Sequence, residues 1–150
     1  MRRALAVSFG LLAWVGGAVA RPESSQAGFR VIVAAASPIS EVNRAELARM
    51  FLKKQTRWKS GQEVAPVDQS ARSSVRAAFS RGVLVVEGLE KISAVESYWR
   101  QQIYSGRGTP PVVKTGDDEV RLFVAATPGA IGYVSENADL NGVKAVKVED

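Results

Sequence analysis

The chain has 150 residues with 20 lysines and arginines against 15 acids, a formal charge of +5, and neither cysteine nor histidine. Without those two residue types the usual zinc and copper ligands, disulfides and every Ser-His or Cys-His nucleophile pair are excluded, so most hydrolase mechanisms are disfavoured and no metal or other cofactor is expected. The excess charge is mild, and no dense basic face interleaved with aromatics marks a nucleic-acid binder.

The first twenty residues read as a secretory leader: Arg2-Arg3 is a basic start, the run from Ala4 to Gly17 is apolar, and Ala18-Val19-Ala20 has the small-x-small form of a cleavage site. Cleavage after Ala20 leaves 130 residues carrying 18 basic and 15 acidic side chains, enough for one domain with its own core. No later stretch approaches the ~18 apolar residues of a membrane span, so a soluble periplasmic or secreted protein is expected. Residues 21–28, rich in Pro, Glu, Ser, Gln and Gly, read as a flexible arm, and the domain is expected over 29–150.

Phe29 to Ala36 is a short, nearly continuous apolar run ending at Ser37-Pro38, the pattern of a strand buried on both faces. Asn43 is placed to cap a helix with Glu46 at its third position, and Leu47, Met50 and Phe51 share one helical face. That helix is expected to end by Lys53-Lys54, and Thr56 to Gly61 is a loop carrying Trp58. Glu63 to Val67 reads as a short strand, placed near an edge or a strand end by Pro66. A helix is expected from Ser74 to Leu84 and another through Ile92, Val95, Trp99 and Ile103, stopped by Gly106 and Gly108. Thr109-Pro110-Pro111 reads as an extended link. Thr115 is expected to cap a further helix whose first turn holds Asp117, Asp118 and Glu119, with Val120, Phe123 and Val124 on the buried side. Ala130 to Val134 and Val143 to Val148 read as the last two strands, across the turn-rich Asn137 to Gly142. The order β-α-β-α-α-α-β-β predicts an α/β fold, a mixed sheet flanked by helices.

The stretch Gln69-Ser70-Ala71-Arg72 falls between the end of a strand and the start of a helix, the usual ligand edge of an α/β sheet. A helix start offers unpaired N–H groups and partial positive charge; Ser70, Ser73 and Ser74 add hydroxyl donors, and Arg72 adds a two-pronged cation suited to phosphate or carboxylate. The plain alternative is that Ser73 or Ser70 is an ordinary cap and that Arg72 and Arg76 form a solvated face. Ser105 to Thr109, with Gly-Arg-Gly, offers Arg107 and Thr109 as further donors but lacks a full phosphate-loop pattern. The three consecutive acids from Asp117 do not converge on a cation and read as dipole compensation.

Four segments together resemble the phosphate-binding receptors of bacterial ABC importers and their small secreted relatives: ELARMFLKKQTRW (Glu46 to Trp58), VAPVDQSARSSVRAAF (Val64 to Phe79), YWRQQIYSGRGTPP (Tyr98 to Pro111) and, most specifically, FVAATPGAIGYV (Phe123 to Val134). The resemblance spans roughly Val31 to Val148 and implies a single lobe, the second, of a two-lobed binding protein. It implies a binding role without catalysis, a phosphate or similar oxyanion as ligand, and an ABC importer or other envelope protein as partner. By position Ser73 and Ser74 match the last part of the family's phosphate loop. Asp68 stands where that loop has arginine, and Arg72 supplies the charge from a shifted place. Glycines of the loop are replaced here, which narrows the approach of backbone to ligand, and Lys53 stands where a glycine is common. Two further outcomes are open: a homodimer that rebuilds a cleft from two lobes, or an envelope protein-interaction module on the same fold that binds no small ligand.

Overall fold

A computed structural model describes residues 28–150. The expected leader and most of the expected arm lie outside the described residues. The elements are β1 (Phe29–Ala34), β2 (Glu41–Asn43), α1 (Arg44–Phe51), β3 (Ala65–Gln69), α2 (Ser74–Gly82), α3 (Ile92–Tyr104), β4 (Val112–Lys114), α4 (Asp117–Ala126), β5 (Ala130–Ser135) and β6 (Val143–Glu149), with a 3₁₀ turn at Leu84–Glu87. They form one six-stranded mixed sheet in the order β2-β6-β1-β5-β3-β4. β1 runs antiparallel to both β5 and β6, while β3 runs parallel to β5 and β4, and β2 parallel to β6.

The apolar run of β1 is explained by helices on both faces. Val31 and Val33 join a core cluster with Leu47, Phe51, Phe79, Trp99 and Tyr133, beneath α1, α2 and α3. Ile32 points the other way, into a second cluster with Val67, Val120, Val124 and Val134 under α4. Alternation along a strand sends neighbours to opposite faces, so a strand covered on both must be apolar throughout. The first cluster centres on Phe79 and Tyr133, stacked with centroids 4.1 Å apart and planes 6° from parallel.

Asn43 caps α1 as expected, accepting from the N–H groups of Ala45 and Glu46. The helix closes in a Schellman turn: Lys53 N–H donates to Met50 O and Lys54 N–H to Arg49 O, with Lys53 in the left-handed region at φ 54°. A glycine would hold that conformation without the Cβ penalty.

Several local details go beyond or depart from these expectations. β2 and β4, three residues each, carry too few side chains for periodicity to register and are additional to the expected elements. Of the two places expected for Pro66 the strand end is the one found: it is the second residue of β3, which lies inside the sheet because β4 adds to it. Pro66 is tolerated there because β4 begins pairing only at Val67. The N-cap of α4 is Gly116, not Thr115; Thr115 instead donates from its N–H and hydroxyl to Glu119 in the first turn. Finally, Ile103 is exposed although its spacing matched Val95 and Trp99, and the helix read to Leu84 ends at Gly82.

No helix of the described residues is long and apolar enough to cross a membrane.

Candidate functional site

The parallel strands β3, β4 and β5 all end at one edge of the sheet, and α2 and α4 begin there. Backbone donors of two helix starts therefore lie beside the carboxyl ends of three strands, where ligands of open α/β sheets are bound. The loop Ser70–Ser73 is held by its own backbone: Ser70 N–H donates to Lys114 O on β4, and Ser73 N–H to Ser70 O. The residues of this loop are all small or polar and none is buried, so the chain turns without burying side chains.

Each proposed ligand residue has a definite place. Ser73 is the N-cap of α2; its hydroxyl accepts from Arg76 N–H at 3.2 Å and donates to Gln69 Oε1 at 2.7 Å. Ser70 Oγ accepts from Arg72 N–H. The side chains of Arg72 and Ser74 are exposed, and the N–H groups of Ser74 and Val75, in the first turn, have no intrahelical acceptor. Arg107 and Thr109 are not beside this loop within the chain. They precede β4, whose first residue Val112 pairs with Val67, whereas the strand reaches the level of Gln69 only at Lys114. The sheet thus brings together Ser70, Arg72, Ser73 and Ser74, and separates from them Arg107 and Thr109.

Beneath the loop lies a buried polar network that sequence reasoning missed. Asp68 accepts from the Tyr133 hydroxyl and from Gln69 N–H, and its other oxygen faces Arg76 Nε at 3.5 Å. Gln69 is fully buried; its amide donates to Asp117 Oδ1 at 2.9 Å and to Tyr133 O at 3.0 Å. Asp117 in turn accepts from the N–H and hydroxyl of Ser135 at the end of β5. Gln69 therefore ties the cap of α2, the first turn of α4 and β5 together. The only sequence signal was a polar pair, Asp68-Gln69, closing an otherwise apolar strand. Arg76, weighed as part of a solvated face, is buried against Asp68.

Electrostatics separate the two helix starts. α4 has Asp117, Asp118 and Glu119 in its first turn, whereas α2 has no acidic residue there. The partial positive charge of α2 meets no acidic side chain in its own first turn, while that of α4 meets three. Hydrogen bonds from Thr115 hold the Glu119 carboxyl below its ordinary range, so it stays charged. Burial pushes the Asp68 carboxyl above its ordinary value, with Arg76, Tyr133 and Gln69 only partly offsetting the loss of water. The Tyr133 hydroxyl is raised for the same reason and by the negative Asp68, and remains a donor.

Among the described residues no group of three or more His, Cys, Asp or Glu is arranged to hold a metal ion. A cleft of about 380 Å³ opens at the opposite end of the sheet, lined by Ile39, Trp58 and the Thr127–Gly129 turn, and has no charged side chain in its wall. Trp58 closes one side of it, its indole N–H donating to Gly129 O at 3.0 Å.

No protein-family model and no curated protein matches the chain. Solved structures do. An ABC-type phosphate transport receptor from Vibrio cholerae superposes with a TM-score of 0.62 at 21% identity, over 83% of this chain and 47% of that one. A putative phosphate ABC transporter substrate-binding protein from Clostridium perfringens, solved with bound phosphate, gives 0.62 at 22% identity, over 81% and 45%. PstS from Borrelia burgdorferi gives 0.58 at 18% identity, over 81% and 47%. The chain thus has the α/β fold found in these phosphate receptors and spans about half the length of each.

Proposed function

We propose that this is a periplasmic or secreted binding protein that binds phosphate or a similar oxyanion at the start of α2. Ser70, Arg72, Ser73 and Ser74 hold the anion, while Arg107 and Thr109, set apart from this loop by the β3–β4 register, take no part in it within one chain. The observation that carries the reading is the contrast between the two helix starts, since only α2 presents free first-turn N–H groups with no acid beside them. Exposed Arg72 and Ser74 on the same loop add donors of the geometry an oxyanion requires. The fold shared with phosphate receptors supports the ligand class and a role in binding rather than catalysis. The leader at 1–20 supports export, where an ABC importer or another envelope protein would be the partner.

Isothermal titration of the ligand-stripped protein with phosphate, then sulfate, at low and moderate salt tests this. Saturable binding that survives added salt is expected, and Arg72→Ala is expected to weaken it by about tenfold or more, the effect of one charge-assisted hydrogen bond. Absence of heat with both anions, or an affinity unchanged in Arg72→Ala together with Ser74→Ala, rejects the site.

A further inference from the structure

β4 is the last strand of the sheet on its side, and no strand of the described residues pairs with its outer edge. The carbonyl of Lys114 accepts from Ser70 N–H and so turns inward, toward β3. Successive residues of an extended strand turn their backbone groups to opposite edges, which leaves the N–H and C=O of Val113 facing outward. Two of the three side chains of this strand are exposed valines, Val112 at 47% and Val113 at 52%. Single exposed apolar residues are ordinary, but two consecutive exposed valines on an open edge strand leave a surface on which another strand can pair.

We infer that a second copy of this chain pairs antiparallel with β4 about a two-fold axis through Val113. That register is fixed by the backbone, because Val113 of each copy then donates to and accepts from Val113 of the other. It sets Val112 opposite Lys114, and Pro111 opposite Thr115. Since Gln69 pairs with Lys114 within the chain, Pro111 of the second copy comes level with Ser70, two strand spacings or about 10 Å away. The segment Arg107–Pro111 that the fold keeps from the Ser70–Ser74 loop within one chain is delivered to it by the other.

Charge supports the same arrangement. Arg107 is exposed and makes no ion pair among the described residues, while Asp118 and Glu119 are exposed at the start of α4, beside Thr115. The two-fold axis sets Arg107 of one copy against that acidic turn of the other, where it offsets the charge that opposes an anion on the neighbouring loop. This last consequence rests on the proposed anion site; the strand pairing does not.

Sedimentation velocity over 1–100 µM, with circular dichroism as the check on folding, tests the pairing. The purified protein is expected at twice the mass of the chain. Val113→Pro, which removes the outward N–H, and Val113→Lys, which charges the edge, are expected at the mass of one chain with the fold kept. A single-chain mass for the unaltered protein, or dimers in both folded variants, overturns the inference; the first result would leave the edge to a foreign strand. Phosphate titration of the same samples separates the two readings. A roughly tenfold weaker affinity in Val113→Lys supports a shared site. An unchanged affinity overturns the sharing, and dimers that bind no phosphate reject the anion site while keeping the pairing.

Discussion

Asp68, near the end of β3, and Arg76, in the first turns of α2, form an ion pair with both side chains buried, Oδ2 to Nε 3.5 Å. The pair joins the strand to the helix whose first turn is the candidate anion site, and it is closed off by the Tyr133 hydroxyl. Removing one partner leaves an uncompensated buried charge, which costs about 3–5 kcal/mol. Arg76→Met is therefore expected to lower the stability measured by urea unfolding by that order, and Asp68→Asn combined with Arg76→Met to recover most of it. A double variant no better than the single would contradict the pairing.

The raised pKa of Asp68 has a definite sign in stability. Its folded pKa lies above the ordinary value of 3.8, so the folded state holds the proton more tightly. The contribution is fully present below pH 3.8 and is lost as pH rises through the folded value. The stability of the unaltered protein relative to Asp68→Asn should fall as pH increases upward from about 3.8. A difference that is flat, or that grows with pH, would show that the carboxyl is stabilised in its charged form.

Two caps of the same chemistry should respond differently. Asn43→Ala and Ser73→Ala each remove an N-cap acceptor and are each expected to cost about 1 kcal/mol in chemical unfolding. Only Ser73→Ala also frees Gln69 Oε1 and alters the candidate anion loop, so with the proposed site phosphate affinity is expected to drop in Ser73→Ala and to stay constant in Asn43→Ala.

Lys53 sits in the left-handed region at the end of α1 with no glycine to ease it. Lys53→Gly is expected to raise stability by up to about 1 kcal/mol, because relief of the Cβ clash exceeds the added freedom of the unfolded chain. Thermal unfolding would register it as a higher midpoint.

Gly132 is required by packing rather than by backbone conformation. A Cβ there would stand 2.7 Å from Val67 Cγ1, 2.8 Å from Val120 Cγ1 and 3.1 Å from Val124 Cγ2, all in the closed contact between the sheet and α4. Gly132→Ala is expected to destabilise by about 1–3 kcal/mol, checked by urea unfolding, with the larger loss if α4 cannot shift.

Those parts of the fold whose cause is local are legible in the chain. The doubly buried β1, the Asn43 cap, the helices α1 to α4 and the strands β5 and β6 follow from periodicity and capping chemistry within windows of ten residues or so, and those windows are fully present in the chain. The loop Ser70 to Ser74 at a strand end and helix start was legible for the same reason. The remainder depends on partners far apart in sequence, which meet only once the elements have packed. β2 and β4 exist because β6 and β3 offer edges to them, and three residues carry no period of their own. Asp117, which looked like a charge meeting its own helix dipole, is bound by Gln69 from 48 residues away and by Ser135 from 18. Arg76 is drawn inside by Asp68 because a buried carboxylate needs a counter-charge, a demand that appears only once β3 and α2 are packed. Arg107 and Thr109 share the chemistry of the loop serines, but the parallel register of β3 and β4 sets them apart from that loop within the chain.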